Sequence, residues 1–124
     1  MRRIRSALAG AALLALVFGI TDQTDLHAAV ASKPHKTVIT TEHGDTFVFS
    51  PRKLTIKGGT RVTWSNPANA AQIGHNVTSD TSSWHFTKDL PSGGAVNFTF
   101  KKAGTYHYEC TLHPGMKAEI VVKK

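Results

Sequence analysis

Cysteine occurs once in the 124 residues, at Cys110. No intramolecular disulfide can form, so an apolar core, with a bound ion as the other available staple, must hold the fold. A run long enough to cross a bilayer is also missing. The uncharged stretch Ala7 to Ile20, "ALAGAALLALVFGI", has 14 residues, whereas a helical span needs about 20. Outside that stretch there is no helical period, no internal repeat and no low-complexity tract. Paired carboxylates, a nucleophile with its base and a glycine-rich phosphate loop are absent too, and Ser92-Gly93-Gly94 reads as a turn. Acidic residues are few: Asp+Glu number 8 against Lys+Arg 15. The basic side chains are not interleaved with aromatics, which argues against nucleic acid as a partner.

What is present at the amino terminus is an export signal in outline. Arg2, Arg3 and Arg5 precede the apolar run, and Ala29-Val30-Ala31 offers a small-x-small cleavage site. We expect residues 1–31 to be a signal peptide, removed to leave one domain over 32–124, too short for two cores. No cysteine lies near the site to carry a lipid, so the mature form has no anchor and is periplasmic or secreted.

Short alternating runs fill the mature chain. "TVITT" and "TFVFS" flank His43-Gly44-Asp45, and "KLTIK" and "RVTWS" flank Gly58-Gly59. In "AVNFTF" the residues Val96, Phe98 and Phe100 share one face. In "TYHYEC" Tyr106, Tyr108 and Cys110 share another, which turns the thiol toward the interior, and "AEIVV" places Ala118, Ile120 and Val122 together. About seven or eight strands at this spacing predict an all-β antiparallel sandwich or small barrel. The stretch Ser65 to Gly94 is the least regular.

The lone thiol sits in "YHYECTLHPGM", with His113 three residues on and Met116 three further. A tight turn at Pro114-Gly115 can bring these side chains to one point. One more nitrogen ligand, for which His75 in "GHNVTSD" is the best placed, completes two imidazoles and a thiolate with a weak axial sulfur, the set associated with blue copper. "GTYHYECTLHPGM", "GHNVTSD" and the lead-in "FSPRKLTIKGGTRVTWSN" resemble the small single-domain cupredoxins, which include plastocyanin, pseudoazurin and amicyanin. The spacing of two residues on each side of His113 is similar to the short ligand loop of amicyanin. The resemblance implies a Greek-key β-sandwich with one type 1 copper ion, Cu(I)/Cu(II), held by His75, Cys110, His113 and Met116. It also implies that Asn76 and Thr111 hold the two ligand loops together. Leu112 and Gly115 depart from the family, whose members often carry proline and a bulky residue there.

The resemblance implies a carrier of single electrons rather than an enzyme, with His113 as the more exposed imidazole and the electron's exit. Glu109 and Thr111 flank the cysteine where multicopper oxidases have histidines, and a two-copper site would need a second cysteine. The alternatives are a copper carrier or storage protein and a structural zinc site, the latter disfavoured because methionine is a poor zinc ligand. His35, His43, His85 and His107 are assigned no metal, and Trp64 and Trp84 are assigned to the core. The expected partners are protein redox donors and acceptors, acidic ones being favoured by the lysine excess, which persists from Lys33 to Lys124; the carrier is expected to be a monomer.

Overall fold

The computed structural model describes residues 32–124. The signal peptide expected over 1–31 and its cleavage after Ala31 lie outside the described residues. These fold as nine strands in two sheets, with no helix among them. The strands are β1 (His35–His43), β2 (Thr46–Ser50), β3 (Lys53–Lys57), β4 (Thr60–Ser65), β5 (His75–Ser79), β6 (Thr87–Leu90), β7 (Ala95–Phe100), β8 (Gly104–Glu109) and β9 (Lys117–Lys123). One sheet has the order β2-β1-β4-β7 and the other β3-β9-β8-β5-β6.

The all-β sandwich is the expected one, with one or two more strands than the sequence pattern marks. Most pairs are antiparallel, but β1 runs parallel to β4 and β3 parallel to β9. A chain that returns to lie beside an earlier strand in the same direction needs a crossover between. Here that crossover passes through the opposite sheet: β2 and β3 lie between β1 and β4 in sequence, and β3 belongs to the second sheet. Gly58-Gly59 is therefore not a hairpin turn but the corner where the chain changes sheets. Gly58 N–H donates to Lys123 O at 2.9 Å on the second sheet, and Gly59 N–H donates to Phe100 O at 2.7 Å on the first.

Alternation along each strand builds the core, as the pleat requires. Val38, Phe49, Val62, Trp64 and Phe100 face inward from one sheet, and Ile56, Val77, Leu90, Tyr108, Ile120 and Val122 from the other. Aromatic rings fill the centre. Trp84 stacks on Phe86 with centroids 5.3 Å apart, and Trp64 meets Tyr108 edge-on at 5.4 Å. Edge-to-face and offset pairs of this kind are favourable beyond their buried area. With no disulfide available, this cluster carries the stability that a small domain can otherwise take from cross-links. Burial also pushes the Tyr108 phenol well above its ordinary value, an effect the Trp64 indole only partly opposes.

Candidate metal centre

Strand register decides which side chains meet at one end of the sandwich. His75 is the first residue of β5, Cys110 follows the last residue of β8, and Met116 precedes the first residue of β9. Because β8 runs antiparallel to both β5 and β9, these three positions lie at the same end. Cys110 continues the inward alternation of Tyr106 and Tyr108 and is only 3% exposed. His75 is 5% exposed and Met116 1%, while His113, in the turn between them, is half-buried.

Three of the four residues named from the sequence present donor atoms to one another. His75 Nδ1 lies 3.1 Å from His113 Nδ1, Cys110 Sγ 3.5 Å from His113 Nδ1, and Cys110 Sγ 3.9 Å from His75 Nδ1. Among the described residues no other group of His, Cys, Asp or Glu side chains comes together as a metal-sized cluster. The triangle has the right size for one ion. Bonds of about 2.0 Å to imidazole and about 2.3 Å to thiolate require N···N of about 3.2 Å and S···N of about 3.5–3.9 Å. The donor chemistry agrees, since a buried thiolate with two imidazoles suits a soft or borderline transition metal and not a hard cation. Met116, the fourth residue named, is fully buried at the end of the same loop.

Electrostatics favour the ligand form of His75. Desolvation by burial, and secondarily the positive charge that His113 can carry, hold its pKa below the ordinary histidine value. The ring is thus kept neutral, with a lone pair to offer.

The loop from Cys110 to Met116 is closed by its own backbone. Cys110 N–H donates to Met116 O at 2.9 Å, Met116 N–H to His113 O at 3.2 Å, and Lys117 N–H to Gly115 O at 3.0 Å. Gly115 takes a φ of +82°, a left-handed conformation that glycine adopts without the penalty a Cβ brings. Asn76 ties this loop to the strand bearing His75. Its Nδ2 donates to Thr111 Oγ1 at 2.7 Å, its Oδ1 accepts from Thr111 N–H at 3.0 Å, and its own backbone N–H points at Cys110 Sγ at 3.4 Å. The bridging role that the resemblance implied for Asn76 and Thr111 is what these bonds perform.

Two contributors escaped the sequence reading. Phe47 on β2 packs over both imidazoles, with centroid distances of 4.4 Å to His113 and 5.2 Å to His75. The signal was there in "TFVFS", where Phe47 shares a face with the buried Phe49. Asn66, 2% exposed, organises the irregular approach to His75. It donates from Nδ2 to Ile73 O at 2.9 Å and Leu90 O at 3.1 Å, and accepts from Thr40 Oγ1 at 2.8 Å. Its position continues the alternation of Val62 and Trp64, so a polar residue on the buried face was legible there. The remaining histidines among the described residues stay apart from the cluster: His35 bonds Thr63 Oγ1, His107 lies 3.6 Å from Glu119, and His43 and His85 are exposed.

Comparison with known proteins agrees with this geometry. Residues 35–123 match the model of the copper binding proteins of the plastocyanin/azurin family. Amicyanin from Paracoccus denitrificans is 30% identical over 138 aligned positions, covering 98% of this chain and 96% of that protein. Plastocyanin from Scenedesmus fuscus is 33% identical over 94 positions, covering 61% of this chain and 87% of that protein. Among solved structures, a purple cupredoxin from Nitrosopumilus maritimus superimposes with a TM-score of 0.60 at 26% identity, over 70% of this chain and 98% of that one. A matched region that spans both sheets, and a buried His-Cys-His triangle sized for one type 1 copper ion, make the chain a member of the cupredoxins, the plastocyanin/azurin family of copper binding proteins.

Proposed function

We propose that this protein carries single electrons between redox proteins outside the cytoplasm, through one copper ion held by His75 Nδ1, Cys110 Sγ, His113 Nδ1 and the Met116 thioether. The observation that carries the reading is the triangle of donor atoms at 3.1, 3.5 and 3.9 Å, from two buried residues and the half-buried His113. Copper supplies a one-electron couple, so a donor loses one electron and an acceptor gains one. The chain's part is to keep the donors from moving as the charge changes. Cys110 and His75 are anchored to strands, and Asn76 fixes the distance between the two segments. Phe47 covers both imidazoles and keeps water from their faces. His113, the less buried imidazole, is the route in and out, flanked by the exposed Leu112 and Pro114.

The export reading belongs to the same proposal: residues 1–31 serve as a signal peptide, and the mature monomer, 32–124, works in the periplasm or beyond. A carrier role, rather than an enzyme's, is supported by relatives named amicyanin and plastocyanin. Visible and electron paramagnetic resonance spectra of the copper(II) protein test it. We expect an intense thiolate-to-copper charge-transfer band that Cys110→Ser abolishes, together with repeated reduction and reoxidation without loss of copper to a chelator. A colourless copper(II) protein removes the ligand assignment. A coloured one that surrenders its copper on reduction supports delivery of the ion instead.

A further inference from the structure

The charges of the described residues are sorted along the barrel. At the end opposite His75 the register gathers Lys57 and Lys123 as direct partners, Arg61 beside His35, and Lys101 and Lys102 in the β7–β8 turn. Lys33, Lys36 and Lys124 extend the same end, and all of these side chains are exposed. No acidic residue lies among them. Glu42 and Asp45 flank the β1–β2 turn at the metal end, Asp89 stands opposite Asn76, Glu109 opposite Lys117, and Asp80 and Glu119 lie at mid-height, at the level of His107. The lysine–carboxylate pairs among the described residues, Lys53–Glu119 at 3.0 Å and Lys117–Glu109 at 3.2 Å, engage lysines at mid-height and at the metal end, none at the opposite end.

This sorting bears on what the lysines attract. An acidic redox partner drawn by them would dock about 20 Å from the exposed imidazole, the length of β9 at the strand rise. The field would present the wrong end for electron exchange. A surface that merely holds the protein has no such conflict, and it leaves the metal end facing outward. The lysine end is also shaped for a broad anionic layer. A groove with Pro34 and Ile56 in its walls is rimmed by Lys36, Lys57, Lys123 and Lys124, so the lysine stems lie along apolar surface while their ammonium groups reach out. Cleavage after Ala31 would add the positive charge of a new amino terminus on Ser32, beside Lys33.

We propose that this lysine end docks the protein on an anionic phospholipid membrane surface, with the copper end turned away toward its partners. Juxtaposed lysines and anionic headgroups attract by a factor of about five per charge, within a Debye length of the surface.

Cosedimentation of the copper-loaded protein with lipid vesicles tests this. We expect binding at low salt to phosphatidylcholine vesicles containing a minority of phosphatidylglycerol, release in molar salt, and no binding to phosphatidylcholine alone. The double variant Lys102→Glu/Lys124→Glu should weaken binding at least about twenty-fivefold, on the factor per lysine given above. Arg52→Glu/Lys88→Glu, which changes net charge equally at the other half, should weaken it by no more than a factor of about three, being beyond the screening length. An unchanged visible spectrum and melting temperature in both variants show that each is folded. Equal losses in the two variants, equal binding to neutral vesicles, or no binding at low salt would each overturn the proposal. So would binding to poly-L-glutamate tighter than to the vesicles at equal anionic charge, which would make an acidic polypeptide the occupant. The vesicle readout does not depend on the metal, so it stands or falls separately from the copper assignment.

Discussion

The metal end and the centre of the sandwich are built by different interactions. At the centre, Trp64, Trp84, Phe86, Phe98, Phe100 and Tyr108 pack ring against ring. At the metal end the buried side chains include Thr40, Asn66, His75 and Asn76, joined by directional hydrogen bonds. Dispersion and hydrophobic burial are large but indifferent to small rotations. A hydrogen bond contributes less net free energy but fixes distance and angle. The difference teaches a division of labour: the aromatic centre keeps the chain folded without a disulfide, and the polar end holds three donor atoms within a few tenths of an ångström of where an ion needs them. Variants that lower stability without altering the copper spectrum, and the reverse, should separate the two regions.

The largest stability effect should come from the centre. Trp64 is fully buried and touches Trp84, Phe86, Phe100 and Tyr108. Trp64→Ala should cost about 3–5 kcal/mol in denaturant unfolding, as large aromatic truncations do. The milder Trp64→Phe should refold with an unchanged charge-transfer band. A shifted band in Trp64→Phe would mean that the centre also sets the metal geometry. Next comes Asn66→Ala, which takes a donor from Leu90 O and the acceptor from the Thr40 hydroxyl in the interior, while Ile73 O keeps a bond from Asn69 Nδ2 at 3.3 Å. We expect a loss of about 2–3 kcal/mol, because unpartnered buried polar groups bear the full desolvation cost. Copper affinity should fall as well, since that amide is one of two, with Asn69, that hold the segment leading to His75. An Asn66→Ala protein that binds copper as the wild type does would move Asn66 from the polar end's machinery to simple packing.

How much of this was readable beforehand depended on whether a feature is local. Alternation in "TYHYEC" and "AEIVV" is local, and it placed Cys110, Ala118, Ile120 and Val122 inward correctly. The spacing around Cys110 is local too, so the loop that brings His113 to Cys110 was legible from a dozen residues. Pairing partners are not local. "KLTIK" and "RVTWS" look like the arms of a hairpin about Gly58-Gly59, yet β3 pairs with β9 and β4 with β1 and β7. Period two tells which face a residue takes and nothing about which strand lies beside it. Strand β6, "TKDL", escaped because only Leu90 of its four residues is buried, so alternation had nothing to act on. The charge sorting was invisible for the same reason. Lys57, Lys101 and Lys123 are scattered in sequence, and only the register makes them neighbours.

The finest separation compares two small changes within the metal end, Asn76→Ala and Gly115→Ala. Asn76 makes two hydrogen bonds to Thr111, which is exposed, so water can replace part of what is lost. The stability cost should be only about 1–1.5 kcal/mol. Its effect on the site should be out of proportion, because the bridge between the His75 strand and the Cys110 loop is gone. We expect a shifted charge-transfer band and faster loss of copper. Gly115→Ala should cost a similar or smaller amount, about 1 kcal/mol, since a Cβ at φ +82° is strained but meets no heavy atom within 4 Å. The strain falls on one peptide unit of a loop whose closing bonds run from Cys110, Met116 and Lys117 N–H groups to carbonyls, none of which the methyl blocks. The band should therefore stay where it is. If Gly115→Ala shifts the spectrum as far as Asn76→Ala does, the position of His113 is set by the loop's own backbone conformation, and the side-chain bridge is secondary.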